Sequence, residues 1–446
     1  MTTTAERYPA TRLSPVLVEI PASARADMRV PARVFADEEL WAQIAGDRTL
    51  EQLINVATLP GIVGYAYAMP DAHEGYGFPV GGVAAFRAED GILSPGGVGY
   101  DINCGVRLLA STLDEPALRP HLEPVVHDLS RAIPSGTGRG SRELHLDRAE
   151  LDRVLARGAP ALAERGMAPP EDLAATEAGG GFETADPAAV STRAKQRGAG
   201  QLGTIGAGNH FVEVQQVDRV YDDAAARAFG LEPGHITVLI HTGSRGLGHQ
   251  VCTDYVRAMD AVMSRSGIVL PDRELACAPY ASPEGRAYFG AMCAAANFAF
   301  ANRQAIAHAV RRVFARAFGE AGALDLVYDV AHNMAKLETA DGEPVLVHRK
   351  GATRAFGPSH PETPERYRAV GQPVLIPGSM GTASYVLAGT DQGLGLAFGS
   401  CCHGAGRTMS RKAAKRRQTG IDVRRELEGR GIVVRCSRSG ELAEEA

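Results

Sequence analysis

The stretch Gly96-Gly97-Val98-Gly99-Tyr100-Asp101-Ile102-Asn103-Cys104-Gly105-Val106-Arg107 sets a carboxylate and a thiol three residues apart on a glycine-rich turn. A thiolate can bridge two divalent metals, and a carboxylate one turn away can cap one of them. Taken alone, the stretch reads more readily as a tight turn around a buried free cysteine. Three further segments change the odds. Gly206-Ala207-Gly208-Asn209-His210-Phe211-Val212-Glu213, Val238-Leu239-Ile240-His241-Thr242-Gly243-Ser244-Arg245 and Val327-Tyr328-Asp329-Val330-Ala331-His332-Asn333 each place a histidine at the end of an apolar strand or beside one. One such histidine is usually a satisfied core residue. Three of them, with Asp101 and Cys104, form a set of hard and borderline ligands suited to manganese, iron or zinc.

Other segments supply groups for an anionic ligand. Asp71, His73 and Glu74 lie on a glycine-rich loop between apolar strands, where Asp71 and His73 are placed to orient metal ligands or are incidental turn residues. Glycine-freed backbone beside Ser, His and Arg recurs at Ile376-Pro377-Gly378-Ser379-Met380-Gly381 and at Ser400-Cys401-Cys402-His403-Gly404-Ala405-Gly406-Arg407, and is suited to wrapping a polyphosphate. Arg245 can hold a phosphate as a planar fork. A basic helix carries Arg411, Lys412, Lys415, Arg416 and Arg417, either to contact nucleic acid or simply as a solvated face. There is no Walker A lysine motif, no dinucleotide fingerprint and no Lys-x-Asp-Gly motif, so a bound nucleotide is held by a less common device.

The elements that must position these groups are legible in outline. The 446 residues carry 47 basic and 52 acidic side chains, a net charge of −5. That balance argues against nonspecific coating of nucleic acid and leaves room for a local basic patch. Seven cysteines without regular spacing predict free thiols in a reducing cytoplasm. The absence of a long apolar run predicts no membrane span. Residues 1–30, broken by Pro9, Pro15 and Pro21, read as a loose arm or as an edge strand around Val16–Ile20. Two short helices follow on either side of Gly46-Asp47. Residues 114–200 alternate charged and aliphatic positions at helical spacing and read as a helical insertion. Its glycines at 179–181 predict a mobile stretch over 174–190. An Ala-rich helix over 285–318 carries Asn297, Asn302, Arg303, Gln304 and His308.

In order and separation these motifs resemble the RtcB family of RNA-splicing ligases, from about Val30 to Ala446. The motifs concerned are Gly-Val-Gly-Tyr-Asp-Ile-Asn-Cys-Gly-Val-Arg, Gly-Asn-His-Phe-Val-Glu, His-Thr-Gly-Ser-Arg, Ala-His-Asn and Cys-His-Gly-Ala-Gly-Arg. The resemblance implies an α+β fold: one compact domain over 31–446, of mixed sheets around a dinuclear metal site, preceded by the 1–30 arm. It implies a monomeric enzyme, with or without an accessory activator, that joins RNA 2′,3′-cyclic phosphate or 3′-phosphate ends to 5′-hydroxyl ends, using GTP and two Mn2+, in tRNA splicing or RNA repair. Carried over, Cys104 would bridge the two ions, Asp101 and His210 would complete one, and His241 and His332 the other. His403 would be the nucleophile that takes up GMP. Nucleotide contacts would fall to Asn209, His210, Glu213, His332 and Asn333, to Pro377, Gly378, Ser379, Met380 and Ser384, and to the His403, Gly404, Ala405 and Gly406 backbone. Arg245, Lys350, Arg411, Arg416 and Arg417 would hold RNA phosphates.

In the family a terminal lysine, beyond a segment matching Leu442–Ala446, commonly meets the guanine, and the resemblance supplies no residue for that contact here. Two other readings use the same ligands. A metal-dependent phosphoesterase acting on RNA cyclic phosphates needs no covalent histidine, and an RNA-binding relative could keep the metals without catalysis.

Overall fold

The computed structural model describes residues 8–136, 138–141, 144–406 and 411–443, without the side chains of 411–413. Arg407, in the last loop motif, and residues 444–446 lie outside the described residues, as does the side chain of Arg411.

Helices and two principal sheets make an α+β fold. The larger sheet has seven strands in the order Thr11–Ser14, Leu17–Ile20, Ala32–Phe35, Ile62–His73, Val80–Arg87, Glu343–Lys350 and Asn333–Ala340, antiparallel except where Ala32–Phe35 runs beside Ile62–His73. Its last hairpin turns at Asp341 and Gly342, both at positive φ, the backbone a two-residue turn between right-twisted strands requires. Of the two readings of residues 1–30, the edge strand holds for those described: from Thr11 they form the edge of this sheet, with Val18 and Ile20 buried. Helices Glu38–Ile44 and Thr49–Val56, split at Gly46-Asp47, pack Leu50, Leu53 and Ile54 against Ala66, Ala68 and Phe86 of the sheet.

The smaller sheet has four antiparallel strands in the order Asp325–Ala331, Gly105–Asp114, His235–Thr242 and Phe211–Gln216. Ala331 pairs with Gly105, Gly105 with Thr242, and His241 with Phe211. One end of this sheet therefore collects the residues that flank every motif histidine and Cys104. His332 is the single residue between Ala331 of the small sheet and Asn333 of the large one, so the two sheets meet at this corner.

The helix Pro283–Phe318 runs through the centre. Ser282 caps it by accepting from the Gly285 amide, Pro283 occupies its first turn and Gly319 ends it at positive φ. Every residue from 290 to 307 is buried, and eight of these eighteen are alanine, which lets neighbouring helices approach closely. Among its described residues the segment 114–200 is mainly helical, and it wraps this helix through Leu122–Ala132 and Arg148–Arg157. The glycines at 179–181 do not leave 174–190 loose. Glu177 is buried, accepts from the Ala331 amide and pairs with Lys336, and the Asn297 side chain accepts from the Phe182 amide at 2.7 Å.

Candidate metal centre

At the shared end of the small sheet, Cys104 Sγ lies 3.4 Å from His210 Nε2 and 3.3 Å from His241 Nε2, and His241 Nε2 lies 3.3 Å from His332 Nε2. Asp101 Oδ2 is 2.8 Å from His210 Nε2. Two groups of potential ligands result, Asp101 with Cys104 and His210, and Cys104 with His241 and His332, sharing the sulfur. The residues fit metal ions. An ion bound tetrahedrally at roughly 2.1 Å from nitrogen and 2.3 Å from sulfur holds its donor atoms about 3.4–3.6 Å apart. The side chains already converge at nearly that spacing.

Electrostatics point the same way. Burial, and then the neighbouring imidazoles, hold His241 and His332 well below the usual histidine range, so both are neutral and offer lone pairs. Burial works against the Asp101 carboxylate, but His210, Arg245 and the Cys104 contact outweigh it and keep it ionised. Burial and then the Asp101 charge push the Cys104 thiol well up. A bound cation reverses that, because a coordinating thiol is deprotonated.

The ligand-bearing backbone is held from beneath by a buried guanidinium. Arg303, on the central helix, donates through Nη1 to Asn103 O at 2.8 Å and Thr242 O at 2.9 Å, and through Nη2 to Asn103 Oδ1 at 3.0 Å. Asn103 sits at φ 52°, an unusual backbone for a residue other than glycine, and these bonds fix it there. Asp329 pairs with both Arg303 and Arg107, and although burial opposes its charge, the two guanidiniums hold its pKa below the usual range. The neighbouring Asn302 accepts from the Gly203 and Thr204 amides and donates to Gly243 O. Sequence reading noted these polar residues on the Ala-rich helix and gave them no role.

His403 stands beside the centre, its ring centroid 4.9 Å from that of His332. Its Nδ1 is 2.6 Å from Asp71 Oδ2, which also accepts from the His403 and Gly404 amides at 3.0 and 3.3 Å. Asp71 therefore orients His403 and none of the five ligands. His73 points Nδ1 at the Asp71 carbonyl oxygen. The Ala405 amide donates to Pro377 O, joining the last loop to the 377–384 loop.

The other expected residues divide. Glu213 and Ser384 are brought together by Gln215 Nε2, at 2.8 and 3.1 Å, and the Gly378 amide donates to Ser384 Oγ. Glu213, Gly378, Met380 and His210 line one cavity of ≈ 520 Å³. Ser379 contacts Thr382 at the surface, and Asn209 lies in the loop that ends at His210. Asn333 acts as a strut, donating to Asp101 O and accepting from the Gly351 amide. Arg245 lies close to Asp101, bonded to Thr204 Oγ1 and Gly136 O. Lys350 does not reach the surface. Its strand is paired on both sides, its Nζ donates to Tyr76 O and Phe78 O at 2.7 and 2.9 Å, and burial drives its pKa down to about 7. Arg416 and Arg417 are exposed on the helix Arg411–Arg417.

Gly243 offers a direct test of this geometry. A Cβ there would stand 2.4 Å from Asp101 Oδ1. Gly243→Ala is therefore expected to displace that carboxylate and weaken metal binding roughly ten- to a hundredfold, as loss of a ligand's support does. Titration of the metal-free protein with manganese measures it, and wild-type affinity would show that the carboxylate is not a ligand.

A family model described as tRNA-splicing ligase RtcB matches residues 52–446. The protein named tRNA-splicing ligase RtcB in Thermococcus kodakarensis is 54% identical, over 99% of this chain and 92% of its own length. That of Archaeoglobus fulgidus is 52% identical over 96% and 90%. The RNA-splicing ligase RtcB of Mycobacterium tuberculosis is 56% identical over 88% and 92%.

Proposed function

The chain belongs to the RtcB family and is an RNA ligase of the tRNA-splicing type, and from that premise we propose that it joins 3′-phosphate ends of RNA to 5′-hydroxyl ends at the expense of GTP, through a histidine–GMP intermediate on His403. The observation that carries the reading is the Asp71–His403 pair beside the ligand cluster. A metal-dependent phosphoesterase needs no covalent histidine and could use one so held only as a general acid.

Asp71 accepts the Nδ1 proton of His403 and leaves the Nε2 lone pair free to attack the α-phosphorus of GTP, with pyrophosphate leaving. The 3′-phosphate oxygen of the RNA then takes the GMP and frees His403. Attack of the 5′-hydroxyl on the phosphorus of the RNA 3′-phosphate expels GMP and forms the phosphodiester, and a 2′,3′-cyclic end must first be opened by water. Two manganese ions at Asp101, Cys104, His210, His241 and His332 would neutralise the charge on the transferring phosphoryl oxygens. Glu213 is suited to accept from guanine N1 and N2 hydrogens at the cavity beside His210. Arg245 would take an RNA phosphate. Incubation with α-labelled GTP and manganese tests the reading: a labelled protein band that is discharged by 3′-phosphate RNA is expected, and GTP or RNA hydrolysis without labelled protein would favour the phosphoesterase.

Among the described residues no helix is long and apolar enough to cross a membrane, and the seven cysteines are free. The exposed Arg416 and Arg417 are proposed to hold the RNA backbone. Reversing both to Glu is expected to weaken RNA binding and lower its dependence on salt concentration by up to about two phosphate contacts, with guanylylation unchanged. A salt titration that superimposes on the wild type would return the helix to a solvated face.

A further inference from the structure

The groups around the centre differ in how far solvent reaches them. The Asp101 side chain is 29% exposed, against 8% for His210, and Cys104, His241 and His332 are 3, 3 and 2% exposed. The centre therefore opens at Asp101. Next to that opening, the Tyr100 ring lies 5.4 Å from the Tyr76 ring and 4.9 Å from His249, inclined to the latter by 30°. His249 follows Arg245 by four residues on the helix Arg245–Ser266, which puts both on one face, and it is exposed. Neither Tyr100 nor His249 lines the ≈ 520 Å³ cavity, which reaches the centre from the His210 and Glu213 side. The ligand cluster thus has two approaches of different character.

Resting on the RNA-ligase reading, we propose that the Tyr100–His249 pair is a stacking platform for the base of the RNA nucleotide that carries the terminal 3′-phosphate. On that reading the nucleotide of GTP takes the cavity lined by His210 and Glu213, and the RNA phosphate must reach the same centre from elsewhere, which leaves the Asp101 edge. A single-stranded end presents an unstacked base, and aromatic faces bind such bases with little regard for sequence. Tyr76 packs against Tyr100 with its ring plane inclined by 62°, so the Tyr100 ring is held before RNA arrives. Burial and the nearby Arg197 charge hold His249 below the usual imidazole range. Above neutral pH it therefore offers a ring face and no cation.

The test uses the full chain and an oligoribonucleotide ending in a 3′-phosphate, with 2-aminopurine as its last base. Wild-type binding is expected to quench the fluorescence. His249→Ala should weaken binding roughly five- to a hundredfold and relieve the quench, with the salt dependence unchanged, because stacking releases no counterions. His249→Tyr should restore both. His249 is exposed, so neither change threatens folding. Wild-type affinity and quench in His249→Ala would overturn the platform alone, as would a loss of affinity accompanied by a shallower salt dependence, which marks a phosphate contact. Failure of the wild type to bind this RNA would instead overturn the ligase reading and the platform with it.

Discussion

Replacing His403 with alanine is expected to abolish labelling of the protein by α-labelled GTP, by about 10⁴-fold or more, as loss of a catalytic nucleophile does, while bound manganese stays at its wild-type level. The two effects separate because His403 is next to the ligand cluster without belonging to it. The loop should survive the change. The backbone amides of residues 403 and 404 still donate to Asp71, and the Ala405 amide still donates to Pro377 O. What is lost is one hydrogen bond to a charged group, about 1.5–3 kcal/mol, a cost a chain of this size can absorb. Asp71→Asn sharpens the test. All three contacts meet at one carboxylate oxygen, so an amide either keeps them through its oxygen without the negative charge that supports Nδ1–H, or turns its NH₂ toward Nδ1, gives up both backbone bonds and favours the tautomer with the proton on Nε2, where the attacking lone pair is needed. Labelling should then fall by roughly 10²–10⁴-fold without vanishing. If the alanine variant retains label, the nucleophile lies elsewhere, and equal rates in wild type and Asp71→Asn would remove the orienting role.

Asp71 also marks the limit of what could be read from the chain alone. The five candidate ligands and His403 stand out in the sequence because each polar group follows or precedes an apolar strand, most of them set off by glycines. Their meeting depends on strand order. Gly105, Ala331, Thr242 and Phe211 come to one end of a sheet only because Gly105–Asp114 lies between Asp325–Ala331 and His235–Thr242, an arrangement no local pattern encodes. The loop containing Asp71 was suspect for its composition, yet its partner is 332 residues away. Lys350 misled for a physical reason: a lysine in a basic tripeptide looks solvated, whereas strand pairing on both sides carries it inward and its ammonium is taken up by two carbonyls. The glycines at 179–181 misled similarly, since Glu177 anchors that stretch by burying its carboxylate against Lys336. Arg303 was visible only as an arginine on an alanine-rich helix. Its work is done by contacts with Asn103 and Thr242, which sequence separates from it by 200 and 61 residues.

The shared sulfur gives the largest expected change in metal content. Cys104→Ala should lose both manganese ions, whereas His332→Ala should lose one. Cys104 Sγ lies within 3.4 Å of nitrogen atoms from both groups, 3.4 Å from His210 and 3.3 Å from His241, and it is the only residue common to the two clusters found among the described residues. Without it, Asp101 and His210 remain on one side and His241 and His332 on the other, two protein ligands each. Loss of a mere supporting residue weakens a metal site about ten- to a hundredfold, and loss of a direct anionic ligand should exceed the upper end of that range at each position. His332→Ala leaves Asp101, Cys104 and His210 intact, so one ion should stay bound at near wild-type affinity. The folded chain reports the difference independently of activity. A ligand at about a hundred times its dissociation constant stabilises the native state by about 2.7 kcal/mol per site, so manganese should raise the melting temperature of the wild type most, of His332→Ala by a smaller amount, and of Cys104→Ala scarcely at all. Metal analysis after dialysis, run beside the melting curves, gives the stoichiometry. One equivalent retained in Cys104→Ala at wild-type affinity would show that the thiolate serves a single ion, and the second ion would then need a ligand outside the present set.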